Sequence, residues 1–227
     1  MHNLDLYAKV EHLLGIDDAT EALHNLYASE LEAYKPKTLL DVGCGRGLFM
    51  KKMIQEGVSC IGSDLSQVMV EHCKSEALEA HCCDIDKIEG KFDAIVSIFD
   101  VLNFFSHDEL MIFLEEVAKR LNDDGVFMAD INTRYGFSDV ADGSMVSENE
   151  DEFLSVDAIF ENDLLETTLT LFERGEGDCY RRYQEKIVQY FHPLKSFQKL
   201  NSLKLVDKQT FALYESGDKT LLIFKKR

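Results

Sequence analysis

Thr38-Leu39-Leu40-Asp41-Val42-Gly43-Cys44-Gly45-Arg46-Gly47 is the stretch on which the fold turns. A β-prone apolar run meets an acidic residue and then three glycines at alternate positions, and a helix-period segment, Leu48 to Glu56, follows at once. Glycines permit a tight turn and let a bound molecule come close to bare backbone. The helix N-terminus behind them offers unpaired N–H groups and a partial positive charge. Strand, glycine loop and helix in that order predict a nucleotide-type pocket at the carboxyl end of a strand in an α/β sheet.

The spacing narrows the ligand. The dinucleotide fingerprint is G-x-G-x-x-G, whereas this loop reads G-x-G-x-G. The Gly-Lys-Ser/Thr of a P-loop does not occur. Asp41 would repel a pyrophosphate and suits a ligand that carries an ammonium group. The pattern resembles motif I of the class I S-adenosylmethionine-dependent methyltransferases, (D/E)-x-G-x-G-x-G. The resemblance implies that Asp41, Gly43, Gly45 and Gly47 lie against the methionine part and the ribose of S-adenosylmethionine.

The flanking sequence alternates strand and helix from Thr38 to Ile131. Strands are expected at Thr38 to Val42, Val58 to Ser63, Glu79 to Cys83, Phe92 to Ile98 and Val126 to Ile131, with Asn122 to Gly125 as a turn. Ser66 reads as a helix N-cap, and Ser106 with Glu109 as a capping box. Upstream, residues 4–34 read as one or two amphipathic helices, with Asp18 and Glu21 in cap-and-N3 register. Downstream the period changes to β, with runs at Phe153 to Phe160, Leu164 to Phe172 and Tyr180 to Phe191, and with a turn at Gly175 to Asp178. The polar Ser138 to Asp151 reads as a mobile loop, Pro193 to Asn201 as a short helix, and Leu203 onward as a terminal hairpin.

The expected fold class is therefore α/β: a doubly wound, mostly parallel seven-stranded sheet, Rossmann-like, with a small antiparallel β cap. The expected division is an N-terminal helical lid over 1–35, a core over 36–136 and 192–227, and an inserted cap over 137–191. A β-rich insertion after strand five resembles the small-molecule branch of the same family, in which it covers the substrate.

Further positions fit that resemblance. Asp64 ends strand two, about twenty residues after the loop, where a carboxylate accepts hydrogen bonds from the vicinal hydroxyls of a ribose. By resemblance Leu65 adjoins it, Asp84 takes the adenine amino group, the Ile85 N–H meets a ring nitrogen, and the backbone at Ser97 flanks the methionine moiety. Asp100 and Asn103 follow strand four. Asp100 would orient an amine or take its proton, and Asn103 would hold cofactor or substrate; both equally fit a cap for the Ser106 helix. Tyr183 is the second catalytic candidate, and Tyr7, Tyr135, Tyr180 and His192 are substrate-facing candidates, although such side chains commonly sit half-buried in a core. No metal is expected. Catechol-type O-methyltransferases hold Mg²⁺ with an adjacent carboxylate and amide at a strand end, and here one residue separates Asp130 from Asn132.

Composition bounds the partners. The chain has 227 residues, 45% hydrophobic, with a net charge of −18. An acidic surface opposes nucleic acid and anionic membranes, both of which are bound through Lys and Arg. Six cysteines without a C-x-x-C pair read as reduced thiols, and the charged residues Asp5, Lys9 and Glu11 exclude a secretion signal at the start, so a cytoplasmic monomer or homodimer is expected. The expected function is methyl transfer from S-adenosylmethionine to a nitrogen or oxygen of a small molecule. The alternatives are methylation of RNA or protein, and a non-catalytic S-adenosylmethionine binder.

Overall fold

A computed structural model describes residues 4–177 and 179–227; Asp178, expected in a turn, lies outside the described residues. Two helices, α1 (Asp5–Val10) and α2 (Asp17–Glu32), precede the alternating segment. That segment is β1 (Thr38–Val42), α3 (Leu48–Gln55), β2 (Ser59–Asp64), α4 (Gln67–Ser75), β3 (Ala80–Cys82), β4 (Phe92–Ser97), α5 (His107–Arg120) and β5 (Leu121–Asn132). Four antiparallel strands follow, β6 (Gly143–Glu148), β7 (Glu152–Glu161), β8 (Leu164–Arg174) and β9 (Tyr180–Tyr190). A terminal hairpin, β10 (Leu203–Phe211) and β11 (Lys219–Lys226), ends the chain.

The main sheet has the order β10-β11-β5-β4-β1-β2-β3. β5, β4, β1, β2 and β3 are parallel, and β11 runs antiparallel to both its neighbours. The strands are apolar on both faces because helices cover both. Leu39, Ala94 and Val96 face one layer with Leu23 and Tyr27 of α2, Phe49 of α3 and Val70 of α4. Their sequence neighbours Leu40 and Ile95 face the opposite layer, with Leu110, Phe113 and Val117 of α5. β1 lies at the centre, with β2 and β3 added on one side of it and β4 and β5 on the other, so its carboxyl end is the switch point where an α/β sheet opens a crevice.

Four expectations need correction. Asn122 to Gly125 is no turn between elements: β5 begins at Leu121, and these polar residues bulge out where the register jumps from Phe92 opposite Leu121 to Ala94 opposite Val126. Asn122 there donates to Asp93 at 2.7 Å. Ser138 to Asp151 is no open loop. It holds a π-helical turn, Gly136–Ala141, and then β6, an exposed edge strand whose lack of a buried face removes the alternation that marks a strand. α2 starts at Asp17 with no side-chain cap, so the Asp18 and Glu21 pairing is not used. The helix at 193–201 shrinks to one 3₁₀ turn, Leu194–Phe197. Among the described residues, no helix is long and apolar enough to cross a membrane.

Candidate active site

At the carboxyl end of β1 the chain makes the glycine loop. Its first N–H groups, from Gly43 and Cys44, donate to the Ser63 carbonyl at 2.8 and 3.1 Å, which pins the loop to β2. Gly43 has φ of +80°, and a side chain there would strike Val101 at 2.7 Å, so glycine is required on both counts. Gly45, with φ of +51°, faces open space: a Cβ would meet nothing within 4 Å. Gly47 sits behind the loop at the start of α3, packed on Leu78 and Cys73, and does not border the cleft.

Asp64 braces this loop. Its carboxylate accepts the Gly45 N–H at 2.9 Å and the Ser66 N–H at 2.8 Å. Burial raises its pKa, and those N–H donors oppose the rise. Asp41 differs. It is only 2% exposed, borders the cleft, and has no hydrogen-bond partner among the described residues. Burial, followed by the Asp64 charge, pushes its carboxyl up to about 8. The Ser63 hydroxyl also lies buried beside the cleft without a partner.

The cleft has a volume of about 500 Å³. Leu65, Asp84 and Ile85 border it, as do Thr20, His24 and Phe49. Burial, aided by Lys52, lowers the His24 imidazole to about 4, so it is neutral at physiological pH. A buried unpaired carboxylate, an orphaned hydroxyl and a bare backbone turn together fit a ligand with a cationic group and polar hydroxyls. Asp41 would hold the ammonium of S-adenosylmethionine, and Asp64 still has lone pairs for hydroxyls.

Tyr7 of helix α1, with Leu4 just before the helix and Glu11 just after it, borders the cleft. On the core side Arg46, inside the glycine loop, donates from Nε to Glu11 at 2.7 Å and from Nη2 to the Ala8 carbonyl at 3.1 Å. Ser66 donates to Asp5 at 2.9 Å. On the other side Lys9 pairs with Glu173, His12 with Glu152, and the Leu6 N–H with Glu185, all on the four-stranded sheet. One short helix thus bridges the glycine loop and the inserted sheet.

Below the opening lies a buried polar cluster. Phe99 and Asp100, which follow β4, both have left-handed backbones. Asp130 on β5 accepts the Phe99 N–H at 2.8 Å, the Asp100 N–H at 2.9 Å and the Tyr27 hydroxyl at 2.8 Å. Lys219 on β11 donates to Asp100 at 2.7 Å and lies 3.6 Å from Asp130. Burial pulls the Lys219 ammonium down, but the two carboxylates outweigh it and hold it above its ordinary value.

Of the residues expected at the site, Asp41, Gly43, Gly45, Asp64, Leu65, Asp84, Ile85 and Tyr7 border the cleft. The others have different surroundings. The Ser97 carbonyl accepts from Tyr27 at 3.2 Å, and its hydroxyl is buried without a partner. The Asp100 carboxylate is taken by Lys219, Asn132 and Gln189. Asn103 bridges the Tyr190 carbonyl and the Asn132 N–H. His192 hydrogen-bonds the Phe105 carbonyl, and burial lowers its pKa. Tyr183 donates to Glu173 on the inserted sheet, under Lys9. Tyr135 and Tyr180 are exposed. Arg46, His24, Ser63, Tyr27 and Lys219 went unread in the sequence. The partners of Arg46, Tyr27 and Lys219 lie 35, 103 and 119 residues away, and no local pattern marks any of the five.

Comparison with known proteins agrees with this geometry. Residues 39–125 match the family described as "Methyltransferase domain". A protein of Geobacillus sp. (strain WCH70), provisionally named a methyltransferase, is 27% identical over 161 residues, which are 66% of this chain and 65% of that protein. An S-adenosylmethionine-dependent methyltransferase from Clostridium acetobutylicum ATCC 824 superposes with a TM-score of 0.78 at 22% identity, covering 97% of this chain and 98% of its own. An amino pentose methyltransferase from Micromonospora echinaspora, solved with S-adenosylmethionine bound, superposes with a TM-score of 0.75 at 15% identity, covering 97% and 96%. At these identities the two structures are likenesses of fold.

Proposed function

We propose that this chain is a class I S-adenosylmethionine-dependent methyltransferase, a reading supported by the family match over residues 39–125 and by the likeness of fold, and that it methylates the nitrogen of a small amine, with a small-molecule hydroxyl as the next class of acceptor. When bound, the cofactor supplies a methyl group on a sulfonium, which an in-line nucleophile displaces. The chain's own task is alignment and desolvation. Asp41 and Asp64 fix the two ends of the donor's polar face, and the bare backbone at Gly43 and Gly45 lets it approach. Helix α1, serving as a lid, keeps water from the cleft.

The observation that carries the acceptor class is the roof. Asp5 lies on α1 and Glu11 in the 3₁₀ turn that follows it, and Glu152, Glu173 and Glu185 face this segment from the inserted sheet. These five carboxylates outnumber the cations beside them, Lys9, His12 and Arg46, in a chain of net charge −18, and that excess disfavours phosphate backbones and favours a cationic amine on approach. The amino pentose methyltransferase of like fold is consistent with that class. Asp100 is not a free base, because Lys219, Asn132 and Gln189 take its carboxylate, so an amine drawn in as a cation gives its proton to solvent before it attacks.

The test is S-adenosylhomocysteine release on incubation with S-adenosylmethionine and three acceptor sets: small amines including amino sugars, phenols and polyols, and bulk tRNA or protein. Turnover with the amines is the expected result. Turnover confined to tRNA or protein would overturn the reading.

A further inference from the structure

We propose that Asp130 is a positioning residue that holds the floor of the cofactor cleft. Where β4 ends, the chain turns through two consecutive left-handed residues, Phe99 with φ of +71° and Asp100 with φ of +52°. Neither is glycine, so each side chain crowds the following carbonyl in a way that a right-handed backbone avoids. A turn of this kind persists only where its surroundings over-determine it.

Asp130 supplies that determination. Its two carboxylate oxygens take the two strained N–H groups one each, at 2.8 and 2.9 Å. Asp130 is wholly buried, and the neighbouring register, Ser97 opposite Ala129, sets it beside the turn. The turn in its turn shapes the cleft. Ile98, Phe99 and Val101 all border it, and Val101 sits against Gly43 of the glycine loop. Asp130 itself does not border the cleft, so it acts through these residues. Lys219 offsets the negative charge gathered there and lies 5.6 Å from the centre of the Phe99 ring.

The shape of this cluster separates a positioning role from a merely structural one. Tyr27 donates to the same carboxylate but does not belong to the turn. Tyr27→Phe therefore removes one hydrogen bond of Asp130 and leaves both turn N–H groups satisfied. Asp130→Asn keeps the side-chain shape but replaces one acceptor oxygen with a donor, so one turn N–H loses its partner.

The experiment is calorimetric titration of S-adenosylhomocysteine into wild type, Asp130→Asn and Tyr27→Phe, well below their melting points. Backbone amide exchange at Phe99 and Asp100 is followed in parallel. Asp130→Asn is expected to weaken binding by about tenfold, the scale of one hydrogen bond to a charged group, and to speed exchange at the two amides. Tyr27→Phe is expected to melt earlier yet bind within about twofold of wild type. Binding by folded Asp130→Asn as tight as wild type would overturn the proposal. If that variant does not fold, wild-type exchange decides: protected amides at Phe99 and Asp100 support it, and exchange at the rate of an open loop overturns it. Failure of wild type itself to bind would instead overturn the cofactor reading, and this proposal with it.

Discussion

Asp41 is a buried carboxyl that waits for a cation. With its pKa pushed up to about 8 by burial, the folded chain retains a proton that the unfolded chain loses near pH 4. Between those values the native state binds more protons than the unfolded state, so this residue's contribution to stability falls as pH rises through the window and levels off above it. A bound ammonium reverses the preference and expels the proton. Titration of S-adenosylhomocysteine at pH 6.5 in buffers of different ionisation enthalpy is therefore expected to show release approaching one proton. In Asp41→Asn that release disappears and affinity drops. The sequence made Asp41 legible because strand, carboxylate and glycine loop are contiguous, and the same holds for Asp64 and Asp84 at the next two strand ends. It marked Asp100 and Asn103 by their place after strand four, with a helix cap as the equal alternative, and His192 by its place beside the insertion. In the fold each has found a partner 29 or more residues away, and no local reading could have supplied it.

Elements were legible where local chemistry and burial agree. α5 is the clearest case: Ser106 accepts the Glu109 N–H while Glu109 accepts the Ser106 N–H, the reciprocal pair that the sequence spacing foretold. Ser106→Ala is expected to cost about 1 kcal/mol. In a chain of this size that is a fall of about 2–4 °C in the midpoint of a thermal melt, and a change under half a degree would mean that the cap is idle. β6 was illegible for the opposite reason. All but one of its residues are exposed, and its strand character comes from pairing with β7, from Gly143 opposite Ala158 to Glu148 opposite Phe153. Helix α1 shows a third situation. Its six residues are too few to be stable alone, and the contacts of Ala8 with Arg46, Lys9 with Glu173, Leu6 with Glu185 and Asp5 with Ser66 hold it as a tertiary feature.

At the scale of the whole molecule, the alternating half of the chain settles the sheet and the cofactor, and the later half completes the site. β11 inserts antiparallel between β10 and β5, and it carries Lys219 into the cluster under the cleft. A chain ending at Glu215 would keep the entire glycine loop and all five parallel strands, yet leave Asp100 and Asp130 buried without their cation. Leaving such charges uncompensated is strongly destabilising. That truncated chain is expected to bind no S-adenosylhomocysteine by calorimetry and to lack a cooperative melt; tight binding by it would show that Lys219 is dispensable. The position of Lys219 also orders events in time. During synthesis the glycine loop leaves the ribosome early, while the counter-charge of Asp100 arrives 119 residues after that carboxylate, so the cluster under the cleft is complete only once translation has passed β11.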